Sequence, residues 1–431
     1  MGDSTTGKRE EQGPAVPRNI GDEIDLFVNQ IDALAETLPL ATMAIQGARS
    51  TSSQQLTKFL KEECKAIGSD GKRTNYAIDS SQHTRFQRFK RRFDKAELAQ
   101  LLVPRGLLVA LVSQFDAYLG GLIRQLFKAK PDIVDSSGRN LSFSQLTEFG
   151  SIEAAREYVI EKEIESVLRE SHSDHFDWFE AKFKLPLRKD LPAWPVFIEV
   201  TERRNLFVHT NGVVSRQYLE VCRKHACHVP IGVCLGESLP VTREYFAAAY
   251  ECLLEIGFKL GQVLWRKVQP DDIDKADKNL IVGTYNLITE GHFQLARVLL
   301  DFGTETLKVH ASEDYRLRLV VNRAQTYKWT GDEEKCKQIL DSEDWTAAAL
   351  KFKLAVAVLS DNFKEANGIV KLIGKDDGEI NKHAYREWPL FKELRKVPEF
   401  TALFDQIFGE PLNKFVVHDL EAGSSNPPAV N

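Results

Sequence analysis

The chain has 431 residues, 43% of them hydrophobic, with a formal net charge of -5 and a pI near 6.1. That leaves room for two or three domains with substantial cores and excludes a wholly disordered chain or one drawn bodily onto a polyanion, so any nucleic-acid contact must be local. Six cysteines over this length exclude a disulfide framework and point to a reducing compartment; with a polar, charged N-terminus and no run of roughly 18 uncharged apolar residues, the expectation is a cytoplasmic protein without a membrane segment.

Residues 1 to about 20 carry almost no large apolar side chain and cannot repay their ordering entropy, so they are expected to be disordered, as is the tail from 416 to 431. Between them apolar residues recur at spacings of three and four, which predicts an all-α fold. Ile24, Phe27, Val28, Ile31, Leu34 and Leu38 form one such stripe. The strongest helix is predicted from about Ala99 to Lys128, with Leu108, Leu111, Val112, Phe115, Leu119 and Leu122 on its buried side; its wide apolar face makes it central. Further helices are predicted at about Ile152 to Arg169, Pro195 to His209 and Thr242 to Trp265, joined in part by a proline-punctuated connection from Leu185 to Pro195. These make a helical bundle over residues 21–270. One short extended piece is expected, around Val229 to Leu239, and no other.

After about Pro270 a degenerate repeat sets in. Gly291-His292-Phe293 precedes Leu299-Leu300, Gly331-Asp332-Glu333 precedes Ile339-Leu340, and Asp361-Asn362-Phe363 precedes Ile369-Val370. Small residues at Ala296, Cys336 and Ala366 suit close helix packing. The scatter of the period brackets the roughly 34 residues of a tetratricopeptide unit, and residues 271–415 resemble a short tetratricopeptide-like stack closed by a cap from Trp388 to Phe404. An irregular helical domain without true repeats is the alternative. A stack of this kind is expected to take a regulatory protein or peptide.

The segment Glu202-Arg203-Arg204-Asn205-Leu206-Phe207-Val208-His209-Thr210-Asn211-Gly212 ends a predicted helix, because Asn-Gly is a strong stop. Asn205 and His209, four apart, share a face, and the long stem of Arg204 can bring its guanidinium toward them. In the last turn His209 feels the negative end of the helix dipole, which favours the imidazolium. A histidine beside an arginine suits attack of an RNA ribose 2′-hydroxyl on its own phosphodiester: His209 moves the proton, Arg204 stabilises charge on the phosphoryl oxygens, and neither metal nor cofactor is called for.

Arg204-Asn205-x-x-x-His209 resembles the R-x4-6-H signature of HEPN-domain ribonucleases, with a polar residue after the arginine. The helix containing Ser113-Gln114-Phe115-Asp116-Ala117-Tyr118-Leu119 is similar to the first core HEPN helix, and Asp116 stands where that helix carries an acid. The resemblance covers about residues 100–265. It implies a metal-independent endoribonuclease, commonly a homodimer whose two motifs share a cleft, and often a toxin or antiviral-defence effector with an appended sensor domain; Asp116 and Asn205 would support Arg204 and His209. A tyrosine two residues past the histidine, found in some HEPN toxins, is here Asn211. Arg203 also satisfies the spacing, and Arg204 is preferred because Asn205 follows it. The alternatives are a catalytically silent HEPN-like dimer serving as an interaction scaffold, or an ordinary helix end with the arginines paired to Glu199 and Glu202.

Two other clusters invite chemistry. Arg85, Arg88, Lys90, Arg91 and Arg92 interleave with Phe86, Phe89 and Phe93, which, together with Arg203, makes them candidates for RNA binding; the phenylalanines have helical spacing and can equally be a buried stripe behind a solvated basic face. Cys222, His225, Cys227, His228 and Cys234 offer soft ligands, but all fall in one short stretch, which argues against a zinc site. His172 and His175 read as surface residues ahead of Trp178.

Overall fold

Stripes at helical spacing become helices along most of the chain. The computed structural model describes residues 18–69, 71, 73–135, 141–229, 232–375 and 378–413. In chain order the first part runs α1 (Ile20–Glu63), a hairpin of β1 (Lys65–Ser69) and β2 (Thr74–Ala77), α2 (His83–Ala129), α3 (Asp132–Asp135), α4 (Phe143–Phe149), α5 (Ile152–Leu168), α6 (His172–Phe183), α7 (Trp194–His209), α8 (Arg216–Lys224) and α9 (Arg243–Val268). The disorder expected for 1–20 and 416–431 falls outside the described residues except at 18–20, where Ile20 already opens α1. Two compact units divide between Asp272 and Ile273.

In the first unit α1 and α2 run antiparallel, as Phe59 against Phe89 (ring centroids 5.4 Å apart) and Gln125 donating to Glu23 (3.3 Å) show from either end. The core forms where α7 and α9 close on this pair. Phe27 stacks on Tyr118 at 4.5 Å, and Phe115 meets Phe197 edge-on at 5.1 Å; burying each such ring stabilises the fold by about 2 kcal/mol. Helix α9 approaches so closely that a Cβ at Gly257 would strike the ring of Phe27, and one at Gly261 would strike Ile24 and the hydroxyl of Tyr118. That hydroxyl donates to the Gly257 carbonyl at 2.9 Å. Serine and threonine hydroxyls at Ser151, Ser171, Ser215 and Thr242 accept from backbone N–H groups three residues on and so fix where α5, α6, α8 and α9 begin.

Two expectations need correction. Helix α2 starts at His83 rather than near Ala99, because its first four turns lie along α1 with little buried beyond Ala96 and so carry no broad stripe. One 18-residue window between Ser80 and Ala129 is apolar enough by composition to cross a bilayer, though Arg105, Asp116 and Arg124 leave no uncharged run of that length; the segment here is the central core helix. The extended structure lies mainly at Lys65–Ala77, whose side chains are nearly all exposed and thus give no alternating apolar signal. Near Val229 to Leu239 a single bridge forms among the described residues, Val213 with Ser238.

The second unit stacks three helical hairpins: α10 (Ile273–Thr289) with α11 (Phe293–Asp301), α12 (Glu313–Trp329) with α13 (Glu333–Asp341), and α14 (Leu350–Leu359) with α15 (Phe363–Ile373). One turn serves all three. Gly291, Gly331 and Asp361 take positive φ (85°, 85° and 55°), and the next N–H returns to a carbonyl five residues back: His292 to Leu287, Asp332 to Tyr327, Asn362 to Ala357, at 2.8 to 2.9 Å. Ala296, Cys336 and Ala366 are buried at the inner contacts. Helices α16 (Lys382–Glu387) and α17 (Pro398–Phe408) finish the unit, packing Tyr385, Phe391, Phe400 and Phe404 together.

Candidate active site

Helix α7 begins with Pro195 in its first turn, where the missing N–H is no loss, and buries Phe197, Ile198, Val200 and Leu206. Its end is tightly made. Asn211 and Gly212 take φ of 53° and 82°, and the N–H groups of Thr210 and Gly212 both return to the Leu206 carbonyl at 2.9 Å. A Cβ at Gly212 would lie 2.8 Å from the ring of Phe207 and 3.1 Å from the guanidinium carbon of Arg105. Arg105, buried on α2, donates to the Asn211 carbonyl at 3.0 Å, to the Ser238 hydroxyl at 2.9 Å and to the Leu239 carbonyl at 3.1 Å. Helix α2 therefore holds the turn that follows α7.

One level deeper the same two helices meet through charge. Arg204 Nη2 donates to Asp116 Oδ2 at 2.9 Å, and its Nη1 to Asn205 Oδ1 at 3.2 Å. The other oxygen of Asp116 lies 2.8 Å from Nε2 of His172, on α6. Arg204 and Asp116 keep 22% and 26% of their side-chain exposure, which leaves the pair at the wall of the unit and reachable from solvent. The Nε of Arg204 is buried without a hydrogen-bond partner. Asn205 in turn donates to Glu202 at 3.4 Å, and burial raises the pKa of Glu202 against the opposing pull of His172.

His172 and His175 are not surface residues. They are buried beside one another, with ring centroids 5.1 Å apart. His175 has no hydrogen-bond partner at either ring nitrogen; burial first, then the neighbouring His172, hold its pKa down to about 4. A signal for this was present: from His172, positions 175, 176, 179 and 183 share one helix face, and the last three are phenylalanines that do form the core.

Arg203 also needs correction as an RNA contact. It is 5% exposed and donates to Glu199 at 2.7 Å, with its guanidinium 3.9 Å from the centre of the Tyr245 ring. Tyr218 and Tyr245 give their hydroxyl hydrogens to the two oxygens of Glu199 at 2.6 and 2.7 Å. This closed set of four cross-links α7, α8 and α9, and Arg203 has no free donor face to turn outward.

His209 stands apart. It is exposed at the last residue of α7, and among the described residues no hydrogen bond joins it to Arg204, Asn205 or Asp116. The structure thus brings Asp116, Arg204 and Asn205 together, adds His172, and leaves His209 more than a turn further along the helix. Of the basic run on α2, Arg85 is paired to Glu63 at 2.9 Å and Lys90 to Asp94 at 2.6 Å. Arg88, Arg91 and Arg92 are exposed and have no ion pair among the described residues. Of the cysteines weighed and set aside as zinc ligands, Cys222 is buried against Tyr218 while Cys234 is exposed.

No protein-family model, curated protein or solved structure matches this chain.

Proposed function

We propose that the chain is a metal-independent endoribonuclease of HEPN type, acting as a homodimer in the cytoplasm, with Arg204 and His209 as its catalytic residues. The observation that carries this reading is the placement of Arg204: an arginine of the R-x4-H spacing, aimed by Asp116 of α2 and steadied by Asn205, with the histidine of the same motif presented to solvent at the end of the same helix. A pinned guanidinium is a preorganised partner for a phosphoryl oxygen. In the reaction the 2′-oxygen bonds to phosphorus, the bond from phosphorus to the 5′-oxygen breaks, and the products are a 2′,3′-cyclic phosphate and a 5′-hydroxyl. His209 accepts the 2′-hydroxyl proton, and the protonated His209 of a second copy supplies one to the leaving 5′-oxygen.

The second unit fits a regulatory role as a tetratricopeptide-like stack. A cavity of about 320 Å³ on it is lined by Val282, Tyr285, Gln325, Ala355 and Trp388, and the buried amide nitrogen of Gln325 has no partner there, which suits an apolar peptide with a carbonyl to offer. A toxin or defence effector held in check by this unit follows from the same reading.

The scaffold alternative draws on one observation: Asp116 is already shared between Arg204 and His172, so the network is satisfied without a substrate. Incubation of the purified protein and of His209→Ala with structured and unpaired RNA in EDTA separates the two. The ribonuclease reading expects fragments with cyclic phosphate ends from the parent only, at equal folding by circular dichroism. Absence of cleavage by both, with a dimer in solution, would favour the scaffold.

A further inference from the structure

The basic run on α2 is separated from the candidate site by a measurable length of one continuous helix, with Pro104 within the span. Arg91 and Asp116 are about 25 positions apart on α2, which is close to seven turns of 3.6 residues, so they lie on nearly the same side of the helix at a distance of about 38 Å. Thr84, Arg88, Arg91, Arg92 and Lys95 line an open groove along this side. Arg88, Arg91, Arg92 and Lys95 have neither ion pair nor hydrogen bond among the described residues, whereas the neighbouring cations Arg49 and Arg85 are taken by Glu97 and Glu63. Between Lys95 and Asp116 the only acidic residue is Glu97, which is the partner of Arg49.

The groove offers charge without stacking platforms. Phe89 turns toward α1, where it meets Phe59, and none of the rings of the run lines the groove. Unpaired strands are usually held by exposed aromatic rings as well as by cations, while a duplex keeps its bases inside and is held by its phosphates and its shape. The proposed chemistry makes the opposite demand at the other end: an in-line attack by the 2′-oxygen needs a nucleotide freed from the stacked A-form helix.

We infer that α2 acts as a ruler for a structured RNA, a paired stem lying along the basic groove and an unpaired segment entering the Asp116–Arg204 site. This rests on the ribonuclease reading above. At about 3.4 Å of axis per base pair, 38 Å corresponds to roughly a dozen pairs. The substrate class is an RNA stem of at least that length bearing a loop, bulge or unpaired end. Sequence on the stem is not read.

The test measures binding and cleavage separately. Labelled stem-loops sharing one loop, with stems from roughly four to roughly twenty pairs, are titrated by fluorescence anisotropy against the full chain and against Arg88→Gln/Arg91→Gln/Arg92→Gln; cleavage of the same set is then followed in EDTA. The expected result is an affinity that climbs to about a dozen pairs and then levels, and a salt dependence of log K that is shallower by about 3 in the triple variant. Equal affinity for all stem lengths, preference for unpaired RNA, or a groove-dependent affinity for phosphatidylserine vesicles in place of RNA would overturn the ruler. Length-dependent binding without cleavage by any protein would sink the ribonuclease and leave the ruler standing. Cleavage indifferent to stem length would do the reverse.

Discussion

The bond between Asp116 and Arg204 can be measured by a double-mutant cycle on Asp116→Asn and Arg204→Gln. An exposed ion pair contributes 0 to about 1 kcal/mol, and breaking a fully buried one costs about 3 to 5 kcal/mol. Here both side chains are about three-quarters buried, the contact is 2.9 Å, and Asp116 also engages His172. A coupling energy of about 2 kcal/mol follows, typical of a hydrogen bond between charged groups. Because the chain has two units, one global unfolding curve is a poor readout. Hydrogen exchange of α7 peptides in the four proteins reads the first unit directly, at pH 7.5 and low salt. Coupling below about 0.5 kcal/mol would refute the view that this pair fixes Arg204, and with it the preorganisation on which the proposed chemistry depends.

Gly212→Ala should destabilise the same unit by about 2 kcal/mol, since φ of 82° and contact with Phe207 both oppose a Cβ; a change under half that in exchange of the α7 peptides would show that the turn relaxes. His175 gives a pH dependence. Its folded pKa of about 4 lies below the unfolded 6.5, so its neutral form stabilises the fold fully above 6.5, and that contribution is lost as pH falls toward 4. The loss amounts to about 3 kcal/mol. His175→Phe should lack it: hydrogen exchange of α6 peptides at neutral and acid pH should show the stability difference moving by about 3 kcal/mol in the variant's favour on acidification, and a constant difference would refute the assignment.

What could be read from sequence divides along burial. Helices α5, α7 and α9 were legible because each presents an apolar stripe at helical period, and the helix stop at Asn211-Gly212 because only such residues take two positive φ values in a row without strain. The hairpin turns at Gly291, Gly331 and Asp361 were legible for the same reason. The outer halves of α1 and α2 were not, since two helices that pack mainly on each other need few apolar positions. None of the described residues of the hairpin at Lys65–Ala77 is buried, and it left no pattern. His172 and His175 were misjudged by residue type, although their register with Phe176, Phe179 and Phe183 placed them inward. Arg203 and Arg204 are adjacent and chemically identical, set apart in the sequence only by Asn205 after the second, and the fold separates them: a rotation of about 100° per residue sends one to Glu199 and the other to Asp116.

The close seam of α9 against α1 and α2 has a consequence for synthesis. Ribosomes add about 5 to 20 residues per second, so α1 and α2 emerge and can pair on the order of ten seconds before Gly257 and Gly261 arrive to cover them. During that interval Phe27, Phe115 and Tyr118 form an open apolar strip on a nascent hairpin of two very long helices. Holdase chaperones would find their binding surface there until the strip is sealed.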